Sequence, residues 1–551
     1  MESKFSINYK KAKKVDLDKS FDIEGLQTYL PIYSRFFDMD ATNYNRVALN
    51  HSCHIRDISS VYNADGEAIE KPIFVKFSPL LDPLNFLRGK YNLESPIVRS
   101  LPQLDSTAEQ CMAKLLDTNN TSYVDGFFCY LTSMMKDTHG FKHGVEYYGS
   151  FLCLQKRFRY NIADDLDFVM NCPFFVNNVN KYFSLDESAA SIVQNNSGDG
   201  SRVNKNKLCI KDDDEDNLLL DIEDLSCDNQ IADFENNGVE VEYEKQPIIE
   251  SSDSSSDSSS DSSSDSSSDS SSDQSDSQSV WETESELESD SESGSDSSSI
   301  FEEEDEVMFS YLHNFPVQLI FQEKCVGTFD QLIMTRQLND DQFMDALMQI
   351  VLMLVAYQKL FEFTHNDLHT NNVMYVETNE EFLEYKIDGF VYKVPTNGRI
   401  FKLIDFGRAI YKFGGKIFCS DSFSCAGDAS TQYNCEPYFN DNKPRINPNP
   451  SFDLCRLGCS LHDFVCRGKE PKTPLQKLID SWCNDDLGKS VLYKPSGQER
   501  YPDFKLYKMI ARTVNNLVPR DQLKLPWANK YVVETSGKTS GIDIDSFPIY
   551  A

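Results

Sequence analysis

At 551 residues and 40% hydrophobic content, the chain can build a core of ordinary domain size. Its formal charge of −35 is unevenly held: residues 211–250 carry a net −13 and residues 251–306 a net −19, which leaves −3 for everything else. The folded part is therefore expected to be nearly neutral, so nucleic acid is not an expected partner, and its acidity says nothing about an active site. The chain shows no secretory signal, no apolar run long enough to span a membrane and no paired Cys-x-x-Cys zinc signature among its 15 cysteines, so free thiols in a reduced, intracellular compartment are expected.

In chain order, Lys10, Lys11, Lys13 and Lys14 open the sequence without the apolar stretch of a signal peptide. Asn63-Ala64-Asp65-Gly66 is a hairpin-turn signal, and residues 71–77 behind it read as a short apolar strand with Lys76 near its end. Residues 28–64 contain no glycine. Glu109 and Asp125 lie on or near expected helices, and a strand is expected near Tyr147. The repeat Asp-Ser-Ser-Ser then runs from Asp253 through Asp273. It cannot bury apolar surface and its like charges repel, so it is expected to be disordered. Each first serine of a triplet, such as Ser254 before Asp257, stands three residues ahead of an acid, in the manner of acid-directed phosphorylation sites. The segment is expected to be phosphorylated or to bind basic partners in a salt-sensitive way.

Residues 318–321 read as a buried strand and residues 322–328 as a connection. Residues 341–363 read as a long amphipathic helix, with Phe343, Leu347, Ile350, Val351, Leu354, Tyr357 and Phe361 at three- and four-residue steps. It delivers the chain to His365-Asn366-Asp367-Leu368-His369-Thr370-Asn371-Asn372. Residues 372–376 and 400–404 read as strands, and Asp405-Phe406-Gly407 follows the second. This is the layout of a phosphotransferase site. A carboxylate at Asp367 can orient a hydroxyl and accept its proton. The amide oxygen of Asn372 and the carboxylate of Asp405, at neighbouring strand ends, suit Mg²⁺ bound to phosphates. Gly407 lets the backbone turn sharply behind the metal ligand.

These motifs resemble those of protein kinases. Three further segments, residues 143–151, 418–423 and 432–438, are similar to the divergent serine/threonine kinase-like proteins of nucleocytoplasmic large DNA viruses. The resemblance covers most of residues 30–185 and 307–525. It implies a two-lobed, protein-kinase-like α+β fold with a long disordered acidic insertion in the small lobe. The expected divisions are an N-terminal extension at 1–29, the first part of the small lobe at 30–185, the insertion at 186–306, the last small-lobe strand and hinge at 307–325, the large lobe at 326–525 and a C-terminal tail at 526–551. It implies transfer of the γ-phosphate of ATP, with Mg²⁺, to Ser/Thr hydroxyls of a protein substrate. Lys76 would neutralise the α- and β-phosphates, with Glu109 or Asp125 holding it. The hinge backbone at Gln322, Glu323 and Lys324 would bond the adenine edge. Asp367 would be the base, Asn372 and Asp405 would hold Mg²⁺, and Asp453, on a helix beginning at Phe452, would anchor the catalytic loop. Residues 502–511 would belong to the terminal helices. The implied location is the host cytoplasm or the virion.

Three departures from the pattern stand out. No Gly-rich loop precedes Lys76, Asn366 replaces the usual Arg beside the catalytic Asp, and His369 replaces the usual Lys two residues after it. The second makes switching by loop phosphorylation a weaker expectation. The third also resembles small-molecule kinases, with a loop-bonding structural histidine as the alternative. The missing glycines keep a pseudokinase scaffold open.

Overall fold

The longest strands grow from aromatic and aliphatic runs that suit a half- or fully buried pleated surface. In the computed structural model, which describes residues 7–12, 15, 17, 21–197, 308–466, 470–534 and 541–551, these runs form a mixed α+β protein. Strand β1 (Ile23–Gln27), a meander of β2 (His54–Asp57), β3 (Ser60–Tyr62) and β4 (Ala68–Glu70), and strand β5 (Ile73–Pro79) come first. Helix α1 (Thr121–His139), β6 (Tyr147–Asn161), β7 (Phe183–Leu185), helix α2 (Glu187–Ser197) and β8 (Phe309–Glu323) follow. Strands β1, β6, β8 and β5 lie side by side in that order, all antiparallel, and β7 adds to β8. The register places Lys76 of β5 opposite Ile320 of β8.

Helix α1 packs on this sheet. The Asn120 side chain caps its start by accepting from Ser122 N, and Gly140, at φ +63°, ends it in the left-handed conformation that glycine adopts without strain. At Gly126 the helix comes close to β8: an added Cβ would lie 2.3 Å from Gln318 Nε2, and that amide would have to shift. Close approach of helix and sheet is what brings Asp125 within reach of β5.

Beyond β8, strand β9 (Gly327–Thr328) leads to α3 (Asp340–Phe361). Its start is a capping box in which Asn339 and Gln342 satisfy each other's backbone N–H groups, with Asp340 and Asp341 in the first turn complementing the dipole. This helix is long and apolar enough to cross a membrane, at a mean hydropathy of 1.4, contrary to the expectation that no such run exists. However, 89% of that window is buried inside the protein, where it forms the central core against α1 and the following strands. Strands β10 (Val373–Glu377), β11 (Phe382–Ile387), β12 (Phe390–Pro395) and β13 (Arg399–Leu403) follow, then helices α4 (Phe452–Val465), α5 (Pro474–Trp482) and α6 (Lys505–Thr513). Strand β10 pairs with β9 and β13, which sets Asn372 and Asp405 at adjacent strand ends.

Four expected boundaries move. The stretch assigned to the N-terminal extension contributes β1 to the main sheet, because Ile23 and Gln27 are buried there. Helix α2 occupies residues assigned to the start of the acidic insertion. Asp186 ties its base to β8, its carboxylate accepting from Phe309 N at 2.6 Å and its own N–H donating to Phe309 O at 2.9 Å. The Asp-Ser-Ser-Ser repeat and its expected disorder lie outside the described residues. Finally, the expected C-terminal tail is packed: Val391 and Tyr392 pair with Val532 and Val533, and Tyr550 N donates to Leu360 O at 2.8 Å. The connection after β8 is also shorter than expected, since β8 runs on through Glu323. The described cysteines are all free thiols.

Candidate functional site

Lys76 Nζ stands 2.7 Å from Asp125 Oδ2 and 2.7 Å from Asp405 Oδ1. Burial alone would favour a neutral amine, but the two carboxylates outweigh it and raise the lysine pKa. Asp125 is thereby the acidic partner of Lys76. Glu109 is exposed and takes no part. The other oxygen of Asp125 accepts from Phe406 N at 2.9 Å, so one carboxylate on α1 joins the sheet lysine to the Asp405-Phe406-Gly407 turn. Burial raises the pKa of Asp125. Burial also acts to raise that of Asp405, but there the charge of Lys76 prevails and holds the group ionised, below its ordinary range. Asp405 adopts φ +60°, a left-handed conformation that Asp tolerates better than most residues. Phe406 is fully buried against Phe128 and Phe363, which fixes the turn from behind.

The loop at 365–372 is held from below by Asp453, the second residue of α4. Its two oxygens accept from His365 N and Asn366 N, each at 2.9 Å, and the side chain is fully buried. The anchor expected at this position is therefore in place. Asn366, at φ +64°, donates to Thr364 Oγ1 and Arg408 O and accepts from Tyr433 at 2.8 Å. A neutral amide thus ties the loop to residues on both sides.

Asn372 spends its amide nitrogen within the loop, donating to Asp367 O at 2.8 Å and His369 Nε2 at 3.1 Å. That leaves its amide oxygen for a cation. Burial lowers the His369 pKa, so the ring is neutral and can accept this bond. Among the described residues no group of three or more His, Cys, Asp or Glu side chains could hold a metal by itself. The pair Asn372 and Asp405 fits a different chemistry, in which Mg²⁺ takes one carboxylate and one neutral oxygen from protein and the rest from phosphate and water.

Asp367 is engaged by residues that motif reading missed. Tyr507 of α6 donates its hydroxyl to Asp367 Oδ1 at 2.9 Å, and Arg456 Nε of α4 donates to that phenol oxygen at 2.9 Å. Burial would raise the Asp367 pKa, but the positive charge of Arg408, the leading opposing influence, holds it below the ordinary carboxylate value. Arg408 follows Gly407 directly and so could have been found from the sequence. Nothing in the sequence links Tyr507 to a loop 140 residues away.

The hinge residues depart from expectation. Gln322 and Glu323 are strand residues whose side chains are committed to the interior. Gln322 Oε1 accepts from Cys129 Sγ at 3.4 Å, and Glu323 is ion-paired with the buried Lys402, which also donates to Gly144 O at 2.9 Å. The N–H groups of Glu323, Lys324 and Val326 go to the carbonyls of Glu146, Pro72 and Tyr375. Lys324 is exposed. The meander ahead of Lys76 turns at Asp57-Ile58-Ser59 without glycine, with the Asp57 carboxylate accepting from Ser59 N at 3.0 Å.

Set against known proteins, the chain matches no protein-family model and no curated protein sequence.

Proposed function

We propose that the chain is an ATP-dependent, Mg²⁺-requiring phosphotransferase that acts on serine or threonine hydroxyls of protein, with a two-lobed kinase-like organisation. The observation that carries this reading is the bridge of Lys76 between Asp125 and Asp405 at 2.7 Å each. It joins a cation suited to phosphates, the acid that positions it and the anionic ligand of a cation in one buried cluster. In this reading Lys76 moves onto the α- and β-phosphates when nucleotide binds. Asn372 and Asp405 would hold Mg²⁺, whose charge would neutralise the phosphates. Asp367 orients the acceptor hydroxyl in line with the γ-phosphate and takes its proton. Asp453 and Asn366 keep the loop rigid, so that orientation is prepaid. The bond from Asn372 to His369 favours a structural role for that histidine over recognition of a small-molecule acceptor.

The test is thermal unfolding with ATP, with and without Mg²⁺. A ligand bound only by the folded state raises the midpoint. ATP with Mg²⁺ is expected to stabilise the chain and ATP alone to do so less. No shift at millimolar MgATP would favour a scaffold without nucleotide chemistry.

A further inference from the structure

Helix α1 has no acidic residue in its first turn to complement its dipole, and the N–H of Thr121, its first residue, has no partner within the helix. The partner comes from chain 300 residues away. Behind Asp405-Phe406-Gly407 the chain forms a hairpin of Ile410–Phe413 with Lys416–Cys419, which returns it to the start of α1 at Ser420 and Asp421. Asp421 Oδ1 accepts from Thr121 N at 3.0 Å and from Thr121 Oγ1 at 2.9 Å, and the Asp421 N–H donates to Asn119 O at 2.8 Å. The other carboxylate oxygen is ion-paired with Lys114, and Asp421 is buried. Arg35 fastens the same two segments, donating to Asn119 Oδ1 at 3.4 Å and to Ile417 O at 2.8 Å. Tyr411 adds a third tie, from its hydroxyl to Val124 O at 3.0 Å. Gly407 passes close by, since an added Cβ would lie 3.1 Å from Thr121 Cγ2. Thr121 and Asp125 stand at i and i+4, so they lie on one face of α1, one turn apart.

We propose that Asp421 is a positioning residue, which holds α1 where Asp125 meets Lys76. The inference rests on the phosphotransferase reading and deepens it by naming what sets the lysine. The circuit is closed. Asp421 fixes Thr121, Thr121 fixes the face of α1 that bears Asp125, and Asp125 holds both Lys76 and the N–H of Phe406. With α1 displaced, Lys76 would keep Asp405 alone, and the carboxylate that serves the cation would stay neutralised by the lysine. Bonds to an ionised acceptor are the stronger ones, and burial spares this one from screening by salt. A carboxylate built into the chain also needs no modification. Phosphorylation orders a segment by adding negative charge that a cation can pair with, and Asp421 already supplies that charge, with Lys114 as its cation. The helix is therefore set before nucleotide arrives, with no phosphate required on residues 408–434.

The test is calorimetric titration of the full chain with MgATP, which reads the dissociation constant and the stoichiometry separately and needs no acceptor. Asp421→Asn keeps the shape and removes the charge. It is expected to weaken MgATP at least about fivefold at unchanged stoichiometry. A loss confined to folding would instead lower the stoichiometry and leave the affinity of the folded molecules as it was. Thr121→Ala keeps the backbone bond and removes only the hydroxyl donor, so it serves as the milder probe if Asp421→Asn does not fold, with an expected loss of about threefold. In an Asp125→Asn background, either substitution should weaken binding by less than about a further twofold, because its effect passes through Asp125. Equal losses in both backgrounds would overturn the inference and leave the phosphotransferase reading standing. So would unchanged affinity in Asp421→Asn, or in Thr121→Ala should Asp421→Asn not fold. Binding by the unaltered chain only after phosphate is added to residues 408–434, located by mass spectrometry, would overturn it in the same way. No binding of MgATP by the unaltered chain in any state would overturn both.

Discussion

Tyr507 and Asp367 lie 140 residues apart in sequence and share a hydrogen bond of 2.9 Å, with the phenol donating to the carboxylate. The phenol is itself held by Arg456, so the carboxylate is fixed from the side of α6 as well as through its loop. Bonds to ionised groups are the stronger ones, so this one contributes both to the rotamer and to the acidity of Asp367.

Tyr507→Phe removes that donor and keeps the ring. Turnover should fall by about tenfold, since a hydrogen bond to a charged group is worth about 1.5–3 kcal/mol and only part of it orients the base. The acid limb of the kcat profile should also move to higher pH, because the ionised form of Asp367 loses a donor. A profile that falls without moving would assign Tyr507 to packing alone.

His143 gives a pH dependence of stability that is independent of catalysis. It is fully buried, with Nδ1 bonded to Phe401 O at 2.7 Å, and burial pushes its pKa down from 6.5 to about 4. The folded state therefore keeps the ring neutral while the unfolded chain protonates it below 6.5. Stability is full above pH 6.5, falls as pH drops towards 4 and levels off below that, by about 3 kcal/mol in all. Urea unfolding across this window should show the loss, and His143→Gln should flatten it.

Lys76→Met leaves the buried Asp125 and the partly buried Asp405 together without their cation. Breaking a buried ion pair by removing one partner costs about 3–5 kcal/mol, so the denaturant midpoint should drop clearly. Adding Asp125→Asn should recover part of the loss, because one uncompensated charge goes with it. Additive losses in the double variant would mean that the two side chains do not interact in solution.

Removal of residues 211–306 should leave the fold intact. The ends of the stretch are tied together, since β7 pairs with β8 and Asp186 bonds both backbone groups of Phe309. Shortening a loop closed in this way lowers its closure entropy only slightly. The unfolding midpoint should stay within about 2 °C, and insoluble protein would show that the segment belongs to the core.

Much of the site was legible because its parts are local. Asn372 and Asp405 fall at the ends of neighbouring strands, Asp367 lies in the loop ahead of the first of them, and Asp453 is the second residue of a helix. Lys76 was legible as a lysine on a strand, but the choice between Glu109 and Asp125 was not. That choice depends on how α1 packs against the sheet, which brings Asp125 to 2.7 Å from Lys76 and which pattern does not reveal. The hinge was misjudged by two residues because Glu323 looks like a surface acid until its buried partner Lys402, 79 residues on, is seen. Helix α2 was folded into the acidic stretch because charge composition, dominated by residues 211–306, masked the short apolar pattern of Ala189 and Val193. Tyr507 was invisible for the same reason as Lys402: its partner comes from distant chain.

The measurement that bears most directly on the central claim is phosphoryl transfer by Asp367→Asn compared with the unaltered chain, with MgATP affinity measured on both. Asn is nearly isosteric but a far poorer base, and it still accepts from Tyr507 through its amide oxygen. Transfer should fall by about 10²-fold or more while MgATP still raises the unfolding midpoint, because Lys76, Asn372 and Asp405 remain. Asp405→Asn should instead weaken the Mg²⁺-dependent part of that shift. Unaltered turnover in Asp367→Asn would contradict the assignment of this loop as catalytic.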